Sequence, residues 1–288
     1  MNALLLSLSI ILSSLRNILS KSISDLVFGT RQFFLTQAVI FCSGSLVLLL
    51  VSGSSFIGIS SLTILYAAIY GILLLSAQYC YTAALKNGNI GICSTVYSLG
   101  FIFPTLSGSI FWREELSALN LIGILIVIPT IIISGMSPSK NASQGKVNKY
   151  IFPLVIAMLS SGGLGIMQKV QQNSPFPEQR GAFIILAFAL AGIISFLIAV
   201  LAKPAPKRAM LRKIFAGGGI GMAFGLANLL NTILAGRLDS AVFFPVLNIS
   251  TILFSIVSGI ILFKEKLFKN DILVLILGII SILLITVT

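Results

Sequence analysis

The chain has no histidine, three cysteines, one tryptophan and seven acidic residues in 288 positions. Without imidazole there is no His base, His proton relay or His metal ligand. Cys42, Cys80 and Cys93 are odd in number and at spacings that suggest neither a disulfide framework nor a metal site. The acids, Asp25, Glu114, Glu115, Glu178, Asp239, Glu265 and Asp271, all fall at the ends of apolar runs or between them. No embedded nucleophile, base or carboxylate pair is visible, so the chain is not expected to be an enzyme. No phosphate-binding loop appears, which removes direct ATP drive, and no cofactor is expected. Charge is the scarcest commodity, at 9% of residues, where an ordinary soluble domain has roughly 25%. Such a chain cannot cover its surface with polar groups in water.

What is present is apolar: 57% of residues are hydrophobic and the mean hydropathy is +1.08. The apolar runs are continuous and about 20 residues long, the length that crosses a bilayer as a helix. They lack the alternation of barrel strands. Since backbone in hydrocarbon must satisfy its own hydrogen bonds, the expected fold is an all-α integral membrane protein with ten transmembrane helices. The spans are expected at 3–22, 31–51, 61–84, 90–112, 117–135, 151–170, 181–202, 214–235, 241–263 and 271–287. The first is read as a helix and not a signal peptide, because it lacks a basic start and a convincing cleavage site.

The chain also fits onto itself when slid by 151 residues. Ala84 falls on Ala235, Lys86 on Arg237, Ser107 on Ser258, Gly108 on Gly259, Ile110 on Ile261, Glu114 on Glu265 and Leu116 on Leu267. The same shift superimposes nearly every apolar run, the mark of an internal-repeat transporter. Met136–Lys149 (MSPSKNASQGKVNK) is the one stretch of linker composition. It divides the chain into five-helix repeats at 1–137 and 152–288, joined by a linker at 138–151. Asn141-Ala142-Ser143 within it is a formal glycosylation sequon of a kind common by chance.

An odd number of spans per repeat inverts one copy relative to the other and sorts the loops into two sets. One set holds fourteen Lys and Arg, including the cluster Lys203–Lys213, and the other holds only Arg113, Lys169, Arg180 and Arg237. Cytoplasmic loops are the basic ones, so both termini are expected outside. The net charge of +12 is thereby a matter of orientation, with lipid as the partner and not nucleic acid.

Tyr81-Thr82-Ala83-Ala84-Leu85-Lys86, followed by an apolar helix, Trp112-Arg113-Glu114-Glu115-Leu116 and Gly123, resembles the EamA-type repeat of the drug/metabolite transporter superfamily. Ala235-Gly236-Arg237, Lys264-Glu265-Lys266-Leu267 and Gly278 form a looser second copy. The resemblance implies a ten-helix carrier of two inverted bundles that moves small metabolites by alternating access. Relatives of this kind are described with cytoplasmic termini, against the charge count here. Small four-helix carriers of the superfamily place a glutamate in their first helix for protons and cations. This chain has Asn17 there, which weakens a proton-drug antiport reading.

Polar side chains deep in spans are costly and need a reason. The shift pairs Asn17 with Gln168 and Tyr97 with Asn248, and brings Gln78 within one position of the equivalent of Asn228. Asn231 is a weaker candidate. These amides and the phenol suit a polar, zwitterionic ligand in a central cavity, or else they bond across helix interfaces. Arg16 and Lys169 lie inside spans, where each either reads a carboxylate or phosphate or snorkels to the membrane surface. Gly217, Gly221 and Gly225 recur every four residues and let a neighbour approach, and Pro104 and Pro129 predict kinks. The expectation is a secondary transporter of a bacterial-type cell membrane, an exporter of amino acids or related metabolites. The alternatives are a nucleotide-sugar or phosphorylated-metabolite carrier and a non-transporting scaffold.

Overall fold

A computed structural model describes residues 2–24, 30–53, 58–86, 88, 90–112, 117–136, 150–203, 210–238 and 240–286. Glu114, Glu115, the sequon and, of the basic cluster, Lys207 and Arg208 lie outside the described residues. Helices are α1 (Asn2–Ser24), α2 (Thr30–Ser52), α3 (Ser61–Leu85), α4 (Ile90–Ser98), α5 (Ile102–Trp112) and α6 (Ala118–Met136). The second half holds α7 (Ile151–Gln172), α8 (Arg180–Leu201), α9 (Met210–Ala235), α10 (Ser240–Ile261) and α11 (Lys269–Thr286). Among the described residues there are no strands.

A helical segment lies on each of the ten predicted ranges. Among the described residues, seven helices are long and apolar enough to cross a membrane, with shorter apolar stretches at Val246–Ile261 and Ile272–Ser281. One of the seven, Ile90–Trp112, is interrupted within its length: it runs as α4, a 3₁₀ turn at Leu99–Phe101, and α5. Pro104 has no N–H to offer the carbonyl four residues back, that of Gly100, so the α ladder breaks there. At Pro129 the α-helix continues through the proline.

The helices group into two compact units, and each draws on both halves of the sequence. One comprises Met1–Tyr79 with Met167–Arg237, and the other Cys80–Ile166 with Leu238–Thr288.

In the first unit, α2 packs between α8 and α9, and α1 lies on α9. Small residues allow this. A Cβ on Gly221 of α9 would collide with the Ile40 carbonyl and the Ser43 hydroxyl of α2, and one on Gly225 would sit 3.0 Å from the Gly44 oxygen. A Cβ on Gly44 would in turn meet Phe188 of α8 at 2.7 Å. The backbones therefore touch, which is what drives association where lipid is as apolar as the side chains. Ser43 Oγ donates to the Gly218 carbonyl at 3.3 Å across the same crossing.

In the second unit, Gly100 meets α7 just as closely: its Cβ would press into the Met158 carbonyl, and Gly165 would meet Pro104 Cγ at 2.8 Å. The α10 helix ends at Ile261; three residues on, Lys264 takes the left-handed region at φ 49°, and the Glu265 N–H returns to the Gly259 carbonyl at 3.0 Å. That turn aims the Glu265 carboxylate at the start of α4, where Oε2 accepts the Ile90 N–H at 2.9 Å. A negative charge there satisfies an orphan donor and complements the helix dipole. Gly259 leaves the room, since its Cβ would lie 3.0 Å from Glu265 Oε2.

Candidate functional site

The first helix positions the site. On α1, Leu4, Leu8, Ile11 and Leu15 are exposed at helical spacing, while Ser9, Ser14, Arg16, Asn17, Ser20 and Lys21 are buried. The apolar stripe suits lipid and the polar one faces protein, the reverse of a soluble helix. The α7 helix follows the same rule, with Phe152 and Leu159 exposed and Ser160, Gln168, Lys169 and Gln171 buried.

Arg16, only 4% exposed, sits at the centre of a network within the first unit. Its Nε donates to Gln78 Oε1 of α3 at 3.1 Å, and Nη2 donates to the same oxygen. Nη1 donates to Asn17 Oδ1 at 3.1 Å. The guanidinium carbon lies 4.5 Å above the Phe224 ring of α9. Phe224 is itself packed against Phe188 (ring centroids 5.3 Å apart) and Phe41 (6.3 Å), so an aromatic floor fixes the plane of the cation. A desolvated cation–π contact of this kind is worth about 2 kcal/mol or more.

A second set of bonds ties three helices together one turn away. The Tyr70 hydroxyl of α3 donates to Asn228 Oδ1 of α9 at 2.6 Å and accepts from Gln168 Nε2 of α7 at 2.8 Å. Asn228 Nδ2 donates to the Phe224 carbonyl at 2.8 Å, which links this triad to the aromatic floor beneath Arg16. Further along, Ser9 Oγ of α1 donates to Asn231 Oδ1 of α9. Contacts at residues 9 with 231, 16 with 224 and 19 with 219 show α1 and α9 running antiparallel.

Of the residues singled out from sequence, Arg16, Asn17 and Gln78 touch directly, and Gln168 and Asn228 are joined by Tyr70. Lys169 is buried on the position after Gln168. Tyr97 and Asn248 belong to the other unit. Tyr97 packs on Tyr81 with ring centroids 4.9 Å apart, and Tyr81 shares a 2.9 Å bond with Ser94. Asn248 Nδ2 donates to the Phe244 carbonyl of its own helix at 2.6 Å.

Tyr70 and Phe224 were not foreseen. The repeat shift lays Tyr70 on Gly221, so symmetry gave it no polar partner, and Phe224 is one of twenty phenylalanines. A tyrosine in mid-span was the only signal. As to chemistry, a fixed guanidinium flanked by amides recognises carboxylate or phosphate. Among the described residues no group of His, Cys, Asp and Glu is placed to hold a metal.

No family model matches the chain. It is 31% identical over 64 residues to the probable 4-amino-4-deoxy-L-arabinose-phosphoundecaprenol flippase subunit ArnE of Erwinia tasmaniensis. That match takes in 22% of this chain and 59% of the relative, so the chain spans less than two thirds of the relative's length. A solved crystal structure shares the fold, with a TM-score of 0.65 over 98% of this chain and 95% of its own, at 17% identity. The chain is thus an all-helical, multi-pass membrane protein with distant similarity to a membrane flippase subunit.

Proposed function

We propose that this chain is a secondary transporter of small polar metabolites, an exporter of amino acids or related compounds working by alternating access. The observation that carries the reading is the buried Arg16 cluster. A charge at this depth in a membrane helix is expensive and marks a functional site by default. Here it is held in one orientation by α1, α3 and α9, with residues from both halves of the sequence. A site lined by both halves is what a repeat carrier needs.

The EamA-type architecture, ten spans in inverted repeats at 1–137 and 152–288, is part of the proposal. Burial supports it: at the 151 shift Leu8 and Leu159 are both exposed, while Ser9 and Ser160, Asn17 and Gln168, and Ser20 and Gln171 are all buried. The proposed setting is a bacterial-type cell membrane, with a small molecule and lipid as partners and no nucleic acid. On this reading Tyr97 and Asn248 line the path elsewhere, Lys169 supports the anion preference, and the protein is not an enzyme.

A second reading, a flippase or carrier of phosphorylated compounds, is favoured by the similarity to ArnE, whose name records a phosphorylated cargo. Counterflow of labelled amino acids and phosphorylated metabolites in proteoliposomes decides between the two. Accumulation of an amino acid, lost in Arg16→Gln at equal folded protein, supports export. Accumulation of a phosphorylated compound promotes the second reading. Silence across the panel with folded protein removes both and leaves the scaffold.

A further inference from the structure

Arg16 presents three surfaces, and they are occupied differently. One face rests on Phe224, and Nη1 is held by Asn17 of the same helix. The remaining edge, Nε with Nη2, carries two parallel donors, the geometry that matches the two oxygens of a carboxylate or phosphate. Both of those donors reach the same uncharged amide oxygen, Gln78 Oε1.

We propose that Gln78 is an internal ligand of Arg16, which the anionic group of the transported molecule displaces. The idea rests on the transport reading above and adds to it the ligand's chemistry, a carboxylate or a phosphate, and a competitor for its place. An anion adds charge–charge attraction and a second acceptor oxygen to an edge whose two donors now share the oxygen of an uncharged amide. The gain is offset by stripping water from the anion. A near-balanced exchange suits a carrier that must both take up and release. Phe224 and Asn17 keep the guanidinium in place whichever acceptor holds its edge, and Gln78 is fully buried at that edge on a different helix.

The inference is tested by anion-dependent thermal unfolding of the full chain in phosphatidylcholine nanodiscs. The probes are acetate, inorganic phosphate, and phosphatidate built into the disc. A ligand that binds the folded state raises the midpoint with its concentration, which yields an apparent affinity. Gln78→Leu removes the competitor and should tighten the affinity about fivefold to tenfold, the weight of one modest hydrogen bond. Gln78→Glu supplies a tethered carboxylate and should abolish the response while raising the midpoint without anion. Arg16→Gln should abolish the response outright.

If Gln78→Leu proves unstable, Gln78→Asn, one methylene short, should move the affinity the same way by less. Weaker binding in Gln78→Leu or Gln78→Asn, or an unchanged response in Gln78→Glu, overturns the competitor role and leaves transport standing. A response confined to phosphatidate upholds the exchange and names a lipid headgroup as the source; one to acetate or inorganic phosphate names a free solute. Indifference of the wild type to all three probes, with counterflow of an uncharged compound intact, overturns the anion. Silence in counterflow as well removes the transport reading.

Discussion

The glycines of α9 allow a quantitative test of the packing that holds Phe224 beneath Arg16. Three of them on one helix meet different surroundings. A Cβ on Gly218 would find nothing within 4 Å, one on Gly225 would lie 3.0 Å from the Gly44 carbonyl, and one on Gly221 would strike the Ile40 carbonyl and Ser43 Oγ. A backbone oxygen cannot rotate away, so α2 and α9 must part by on the order of 1 Å to restore ordinary contact distances. Overpacking costs about 1–3 kcal/mol, and a site walled by backbone belongs at the upper end. Loss of the Ser43–Gly218 bond adds about 0.6 kcal/mol. Against this, alanine gains about 0.5–1 kcal/mol over glycine in a helix. Gly221→Ala should therefore destabilise by about 2–3 kcal/mol, and Gly218→Ala should stabilise by about 0.5–1 kcal/mol. Gly225→Ala should fall between them. Reversible unfolding in mixed micelles, titrated with SDS, measures all three. If Gly221→Ala and Gly218→Ala agree within about 0.5 kcal/mol, the ordinary scatter of neutral substitutions, the close crossing is wrong.

Tyr70→Phe strips both Asn228 and Gln168 of a buried partner and should cost about 1–2 kcal/mol. A double-mutant cycle with Gln168→Ala should return a coupling of about 0.6 kcal/mol or more, and additive losses would deny the bridge. Glu265→Gln keeps an acceptor near the Ile90 N–H but removes the charge, so stability should fall by about 0.3–1 kcal/mol in the same titration. Glu265→Ala should lose more, and a Glu265→Gln variant as stable as the wild type would show that the charge itself contributes nothing. Cysteines placed at 136–149 should react with impermeant label only from the cytoplasmic side, as Lys140, Lys146 and Lys149 require; reaction only from outside reverses the charge argument.

The helices were legible because their causes are local. A run of apolar residues about twenty long has one stable form in lipid, so boundaries from Asn2–Ser24 to Lys269–Thr286 follow composition closely. The break at Leu99–Phe101 was half legible: Pro104 marked the place, while the close meeting of Gly100 with α7 at that turn had no signal in the sequence. Polar residues deep in spans were visible one by one, and the repeat shift ranked them. It could not rank Tyr70, whose counterpart is a glycine, and it paired Tyr97 with Asn248, which belong to the second unit.

By itself, then, the amino-acid order determined the solvent, the helices and the placing of Arg16, Asn17, Gln78, Gln168 and Asn228 within them. Each of these is a property of a segment or of the spacing between segments. Tertiary structure alone decided that Gln78 faces Arg16 across 62 residues of chain and that Tyr70 joins Asn228 to Gln168. Such meetings depend on which helices cross and at what height. Those crossings are chosen by contacts such as Gly44 with Gly225 and Gly221 with Ile40, where the absence of a side chain lets two backbones touch. No periodicity within one helix records which other helix will fill that space.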